Sequence, residues 1–214
     1  MKKLTFILVV FSLSLITANA TDQGVVDRSA VTVREFRHMP EKGLPPQILK
    51  HARGLAIISV AKGAFIFSGK VGEGVVVART RHGWSGPSFI GTGGAGWGLQ
   101  FGGEVTDFVF VLNNDAAVRA FSRGGNVTLG ADASVAAGPV GRAAEANVAP
   151  TAAIYSYSRS KGLFAGVSLE GAVVATRKGA NDRYYERPVT AQEILRGRIQ
   201  PPPGAGNLRM ALGR

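Results

Sequence analysis

The chain has 214 residues, with 25 Lys and Arg against 14 Asp and Glu for a formal net charge of +11, 29 glycines and no cysteine. Without cysteine there are no disulfide staples and no thiolate chemistry, so a hydrophobic core must hold the fold, and the chain is long enough to bury one as a single domain. The positive balance favours anionic partners: phospholipid head groups, lipopolysaccharide, nucleic acid or acidic glycans.

The first twenty residues read as an export signal. Lys2 and Lys3 precede an apolar run from Leu4 to Ile16, and Ala18-Asn19-Ala20 is a small-residue cleavage site. The run is shorter than the roughly 20 residues that span a bilayer. Cleavage after Ala20 leaves Thr21 at the mature terminus, with 23 basic residues against 14 acidic once Lys2 and Lys3 are gone, a net +9. The expected location is therefore outside the cytoplasm: periplasmic, peripheral to an envelope membrane, or secreted. Export argues against nucleic acid as the partner.

Within the polar segment 21–44, Val26, Ala30, Val33, Phe36 and Met39 recur at helical spacing, with Asp27, Arg28, Arg34, Glu35, Arg37 and His38 mostly on the other side. Pro45 to Gly54 reads as a short helix, with proline in the first turn and glycine at the end. Short Val, Ile and Phe runs punctuated by glycine follow, and strands are predicted over Leu55–Val60, Ala64–Ser68 and Gly74–Thr80. Val105–Leu112 is apolar on both faces, which predicts a central strand.

Asn113 or Asn114 caps a helix that runs to Arg123 and ends at Gly124-Gly125. Further strands are predicted over Val127–Ala131, Ala152–Ser158 and Leu163–Thr176, the last bent or split at Gly171. Thr190 and Glu193 have the spacing of a capping box for a final helix near Thr190–Gly197. The tail 200–214, opening with Pro201-Pro202-Pro203-Gly204, carries too little apolar pattern to pack and is expected to be flexible. The fold class is a single α+β domain: a mainly antiparallel β-sheet with Gly-rich turns and short flanking helices.

Gly91-Thr92-Gly93-Gly94-Ala95-Gly96 matches the G-x-G-x-x-G dinucleotide fingerprint, but that motif needs a helix to start at its glycines. Trp97 to Gly103 is too glycine-rich to be one, so the glycines point to closely packed strands. Ser85 in Gly83-Trp84-Ser85-Gly86 lacks the spacing of the hydrolase elbow. His38, His51 and His82 offer no pair at helical ligand spacing. No catalytic residue, metal ligand or cofactor is assigned, and the chain is not read as an enzyme; a hydrolase of unknown substrate ranks third, behind lipid binding and an envelope protein-binding or structural module with a basic face.

The basic residues carry more. Lys62, Lys70, Arg79 and Arg81 fall beside consecutive strand turns that converge at one edge if the turns align, with Arg79 and Arg81 on one strand face by the period of two. Arg177, Lys178 and Arg183 form a second group. Lys or Arg beside the backbone amides of glycine turns makes a candidate phosphate site.

Several segments together resemble one family. Pro46-Gln47-Ile48-Leu49, Ala52-Arg53-Gly54-Leu55-Ala56-Ile57, Gly72-Glu73-Gly74-Val75 and Gly83-Trp84-Ser85-Gly86-Pro87-Ser88-Phe89-Ile90 are similar to the first half of the SYLF domain. Gly98-Leu99-Gln100-Phe101-Gly102, Thr106-Asp107-Phe108-Val109, Leu129-Gly130-Ala131-Asp132, Ala137 to Arg142 and Gly162 to Gly171 are similar to its second half, so that the resemblance runs from about Pro45 to Leu195. It implies a lipid-binding module. Eukaryotic members sit beside Src-homology or FYVE domains in membrane-trafficking and actin-patch proteins and bind phosphoinositides. Bacterial members stand alone behind an export signal, and this chain resembles that kind.

What the resemblance implies most directly is binding to anionic phospholipid or a membrane surface, with an envelope protein as the alternative partner. Lys62, Lys70, Arg79, Arg81, Arg177 and Lys178 are the candidate head-group contacts. Eukaryotic members place an amphipathic N-terminal helix against the membrane, and residues 25–39 occupy the comparable place, which makes Val33, Phe36 and Met39 candidates for insertion.

Overall fold

The computed structural model describes residues 21–39, 43–64, 67–97, 102–140, 152–162 and 172–213. The predicted export signal, residues 1–20, and the predicted strand segment 163–171 lie outside the described residues.

The first helix, α1 (Asp22–His38), starts where Thr21 caps it by accepting from the Gly24 amide, and α2 (Pro46–His51) opens on its proline. The strands are β1 (Gly54–Ala64), β2 (Phe67–Thr80), β3 (Gly83–Trp84), β4 (Ser88–Trp97), β5 (Gly102–Leu112), β6 (Asn126–Thr128), β7 (Val135–Ala137), β8 (Ile154–Gly162) and β9 (Val173–Thr176). Helix α3 (Asp115–Ser122) is capped by Asn114, and α4 (Lys178–Tyr184), α5 (Ala191–Leu195) and α6 (Gly206–Leu212) follow β9.

The strands form one sheet in the order β6-β9-β4-β2-β1-β5-β8-β7, with β3 paired to β2. All pairs are antiparallel except β7 with β8. This sheet cannot be flat. Strands β6 and β7 close its two ends, yet the seven Cα steps from Thr128 to Val135 reach at most about 25 Å. Eight flat strands at about 4.8 Å spacing would need roughly 34 Å. The sheet therefore curls until its ends approach, and Leu129 bridges to Ala133 between them.

Both faces are covered, as the two-sided apolarity of β5 requires. On one face Leu55, Ile57, Val75, Val77, Phe89, Val109 and Val111 pack under α1 and α6. On the other, Ile58, Val76, Ile90, Phe108 and Phe110 pack under α3 and against Leu195 of α5.

Three expectations are corrected. Ala64–Ser68 is no separate strand, because Ala64 pairs with Ser68 across the β1–β2 connection. The tail is not a flexible appendage: after a short 3₁₀ turn (Pro203–Ala205), α6 lies along α1 and buries Leu208, Ala211 and Leu212. Its register of apolar residues is short, and only the groove beside α1 makes it pack. Finally, Val33 and Phe36 are fully buried in the core beneath α1, with Met39 partly covered just beyond its end. The stripe read as a membrane face is the stripe that seats α1 on the sheet, so Val33 and Phe36 are not available for insertion in this fold.

Candidate functional site: an arginine rim at one end of the sheet

The described site grows from the turn between β2 and β3. The register Thr80 to Gly83 leaves Arg81 and His82 as a two-residue loop, closed by Thr80 Oγ1 donating to the Gly83 carbonyl at 2.7 Å and accepting from the His82 amide at 3.2 Å. Gly83 takes φ of +97°, where a side chain would be strained. Arg81 therefore leaves the strand and stands exposed in the turn, rather than sharing a strand face with Arg79.

Arg79 lies half-buried with its guanidinium 4.0 Å from the centroid of the Trp84 ring, a cation–π stack across the hairpin. Burial lowers its pKa from the usual arginine value. Trp84 itself is buried, and its Nε1 has no hydrogen-bond partner among the described residues.

Other arginines arrive here from distant segments. The Arg53 carbonyl accepts from the Arg79 amide at 2.8 Å, which sets Arg53 beside it at the start of β1. Gly197, at φ +68°, comes so close to Thr80 that a Cβ would meet its Cγ2 at 2.9 Å. This contact brings exposed Arg196 and Arg198 to the same end. Against them stand two carboxylates. Asp115 pairs with Arg53 at 3.8 Å with both side chains well exposed, and Glu193 feels Arg187 and Arg198. The rim thus carries a surplus of exposed guanidinium groups, which suit bidentate contact with phosphate oxygens.

The remaining candidates do not join it. Lys62 and Lys70 face each other in register near the β1–β2 connection, nine residues back along β2 from Arg79 and so about 30 Å away. Convergence of all four at one edge is corrected, because successive antiparallel turns alternate between the two ends of a sheet. Arg177 and Lys178, neighbours in sequence, separate at the start of α4. Arg177 donates to Glu73 at 2.9 Å, and Lys178 to Asp182 at 2.6 Å. Lys178 also lines a cleft of about 430 Å³ with Arg123, Thr176, Thr190 and Gln192. Arg183 is bidentate to Asp22.

The enzyme-like features resolve as structure. Ser85 is buried, accepts from the Ala78 amide and donates to the Gly86 carbonyl. Residues 91–96 run inside β4, paired to β2, with no helix at the glycines. Among the described residues no group of three or more His, Asp or Glu side chains is arranged to hold a metal ion, and no helix is long and apolar enough to cross a membrane.

Sequence reasoning missed Arg53, Arg196 and Arg198, since only the sheet register and the Gly197–Thr80 contact bring them to the rim. The Arg-Thr-Arg-His-Gly-Trp run was the one local signal for it.

Comparison with known proteins agrees with the resemblance. Residues 93–214 match the family Ysc84, described as Las17-binding protein actin regulator. The match includes the tail that folds as α6. The chain is 52% identical over 170 residues to LAS seventeen-binding protein 3 of Saccharomyces cerevisiae, covering 77% of this chain and 37% of that protein. It is 49% identical over 174 residues to SH3 domain-containing protein PJ696.02 of Schizosaccharomyces pombe, covering 79% and 40%. With human SH3 domain-containing YSC84-like protein 1 the identity is 46% over 189 residues, covering 85% and 55%. The chain thus spans about half or less of the length of these relatives, which are named as binding or domain-containing proteins and not as enzymes.

Proposed function

The chain belongs to the Ysc84 (SYLF) family, and from that premise we propose that it is a peripheral membrane module whose arginine rim binds anionic lipid or phosphorylated head groups. The observation that carries the reading is the convergence of Arg53, Arg79, Arg81, Arg196 and Arg198 at one end of the sheet around an unpartnered buried Trp84 donor. Each cation near an anionic surface contributes about 1 kcal/mol at low screening. Arg79 adds rigidity, since its stack on Trp84 holds the fork in place before a ligand arrives.

The test is vesicle co-sedimentation at low and high salt. Arg79→Glu with Arg81→Glu is expected to weaken binding to phosphatidylglycerol-containing vesicles by more than about tenfold at low salt and to change little at high salt. A double variant that binds anionic vesicles like the parent overturns the rim. If the parent binds no vesicle but captures a defined acidic protein through the same arginines, the protein-binding alternative takes its place. The name of the Saccharomyces cerevisiae relative, a LAS seventeen-binding protein, favours a protein partner.

Export belongs to the same proposal. Thr21, the residue after the predicted cleavage site, is the cap of α1. Removal of residues 1–20 would leave that cap intact. N-terminal sequencing of protein from its native host should read Thr-Asp-Gln-Gly; an intact Met1 would end the export reading and restore nucleic acid as a partner.

A further inference from the structure

Four segments far apart in sequence meet around the cleft of about 430 Å³ that Lys178 lines: the C-terminal end of α3, the end of β9, the first turn of α4 and the entry to α5. Its volume falls among small-molecule pockets, roughly 300–1,000 Å³. The floor is fixed. Asn181 is fully buried, and its Oδ1 accepts from the Phe89 amide at 2.7 Å. Val189 and Ala191, also buried, supply the apolar part of the lining.

The walls carry polar groups with unused capacity. Arg123 and Gln192 are exposed, and among the described residues their side chains make no hydrogen bond or ion pair. Lys178 gives one ammonium hydrogen to Asp182 at 2.6 Å and keeps the others. The carboxylates nearby are committed. Asp182 accepts from Lys178 on Oδ2 and from the Val189 amide on Oδ1 at 2.9 Å. Glu193, just past the lining, is turned to the amide and hydroxyl of Thr190 and is faced by Arg187 and Arg198. Arg123 and Lys178 against Asp182 therefore leave the cleft one net positive charge.

We propose that this cleft binds a small hydroxylated monocarboxylate, the chemistry of a sugar acid, with the carboxylate on Arg123 and Lys178 and the hydroxyls on Gln192 and Thr176. Net charge selects the anion. One positive charge balances a carboxylate, whereas a phosphate monoester at about −1.5 to −2 is left undercompensated. The exposed, unpaired Arg123 fork matches a carboxylate in bidentate fashion. The committed Asp182 and Glu193 offer nothing to an ammonium group, which disfavours amino acids and polyamines. The uncharged groups select hydroxyls, because the Gln192 amide and the Thr176 hydroxyl each both donate and accept. Val189 and Ala191 give too little apolar surface to hold an acyl chain or a large ring. The cleft shares no lining residue with the arginine rim, which α5 reaches only at its far end with Arg196, so the proposal does not rest on the rim. A free sugar acid and a sugar-acid unit of an acidic glycan present the same groups.

Titration with sodium glucuronate, followed by heteronuclear NMR, tests this. The amides of residues 123–124, 176–178 and 190–192 are expected to shift together, and glucose, which lacks the carboxylate, to bind at least about tenfold more weakly. Glucose 6-phosphate should bind no tighter than glucuronate. Arg123→Gln removes an exposed guanidinium with no described partner, so it should leave the melting temperature unchanged and weaken glucuronate binding about tenfold. Arg79→Glu with Arg81→Glu should alter glucuronate binding by less than about twofold, which reads failure of the rim and failure of the cleft separately. A glucuronate-containing oligosaccharide that binds through the same amides at least about tenfold tighter than the monomer assigns a glycan as the source; equal or weaker binding assigns the free sugar acid. Cleft amides that stay unshifted at about 20 mM glucuronate overturn the proposal. So does equal affinity for glucose, tighter binding of glucose 6-phosphate or inorganic phosphate, or an Arg123→Gln variant that binds like the parent.

Discussion

Two apolar stripes lie on the same face of the sheet and meet opposite fates. Val26, Val33 and Phe36 on α1 are sealed against the strands, whereas Val71 and Val105, a few residues further along those strands, stand open. Residue type does not separate them, since both are rich in valine. What separates them is cover: α1 lies on the strands with α6 packed along it, and nothing described closes over the strand row. The apolar stripe that a sequence reading offers on the helix is buried, and the exposed large apolar residues described on this face, Val71, Val105 and Val173, lie on the sheet.

The largest effect is expected where the buried stripe is cut. Phe36→Ala removes a fully buried ring at the point where α1 reaches the polar row of Ser59, Asp107 and Arg159, and should cost about 3–5 kcal/mol in urea unfolding. The matched change in the open stripe, Val71→Ser, should stay within about 0.5 kcal/mol. If Val71→Ser destabilised as much as Phe36→Ala, the strand row would be core and the contrast would collapse.

The cover itself can be removed next. Leu208 and Leu212 of α6 are buried against α1, so Leu212→Ala should cost about 2–5 kcal/mol. Amide exchange should rise along α1 before it rises in β1 or β5. Uniform exchange across the sheet would mean that α1 and the tail do not form a separable layer.

These elements also show what the sequence disclosed. Central β5, the Asn114 cap and the Thr190–Glu193 capping box were legible, because each is a local pattern that the tertiary structure had no reason to override. The α1 stripe was legible as a helix but not as core, since periodicity gives the face of a helix and not what lies opposite it. Helix α6 was illegible, because seven residues after a proline run are marginal alone and form only in the groove beside α1. The arginine rim failed for a similar reason. Arg79 and Arg81 were visible, but Arg53, Arg196 and Arg198 join them only through strand order and the Gly197 turn.

The row that divides the stripes gives a third, intermediate effect. Asp107 is buried and holds both the Ser59 hydroxyl and Arg159. Burial opposes the Arg159 charge, but its hydrogen bonds to Glu35 and Asp107 outweigh that and raise its pKa. Asp107→Ala strands a buried hydroxyl and weakens one side of the guanidinium, for an expected loss of about 1–3 kcal/mol. Glu35→Gln should cost less, because that partner is more exposed. The reverse order would place the boundary between the stripes on α1 rather than in the sheet.

The smallest effect tests whether the contrast is confined to that face. On the opposite side α5 opens with a reciprocal cap: the Glu193 amide donates to Thr190 Oγ1 at 3.2 Å, and the Thr190 amide donates to the Glu193 carboxylate at 2.9 Å. Thr190→Ala should cost roughly 1 kcal/mol. The hydroxyl and amide of Thr190 hold the Glu193 carboxyl below its ordinary pKa, and the Lys178 ammonium, then the Val189 amide, do the same for Asp182. A depressed carboxylate binds fewer protons folded than unfolded at the same pH. Its stabilisation is therefore complete above the ordinary carboxylate pKa of about 4 and disappears as pH falls through the lowered folded value. Glu193→Gln should accordingly flatten part of the acid limb of the stability profile and leave the neutral-to-alkaline region unshaped. There the buried hydroxyls of Tyr185 and Tyr184, the latter pushed up to about 12 by burial, act in the opposite sense. They favour the fold below the ordinary tyrosine pKa of about 10 and lose that contribution as pH rises through the folded values. Thermal melts from pH 3 to 11 on the parent, Thr190→Ala and Glu193→Gln check both limbs. An acid limb untouched by Glu193→Gln would assign it to the remaining carboxylates, Asp182 first among them.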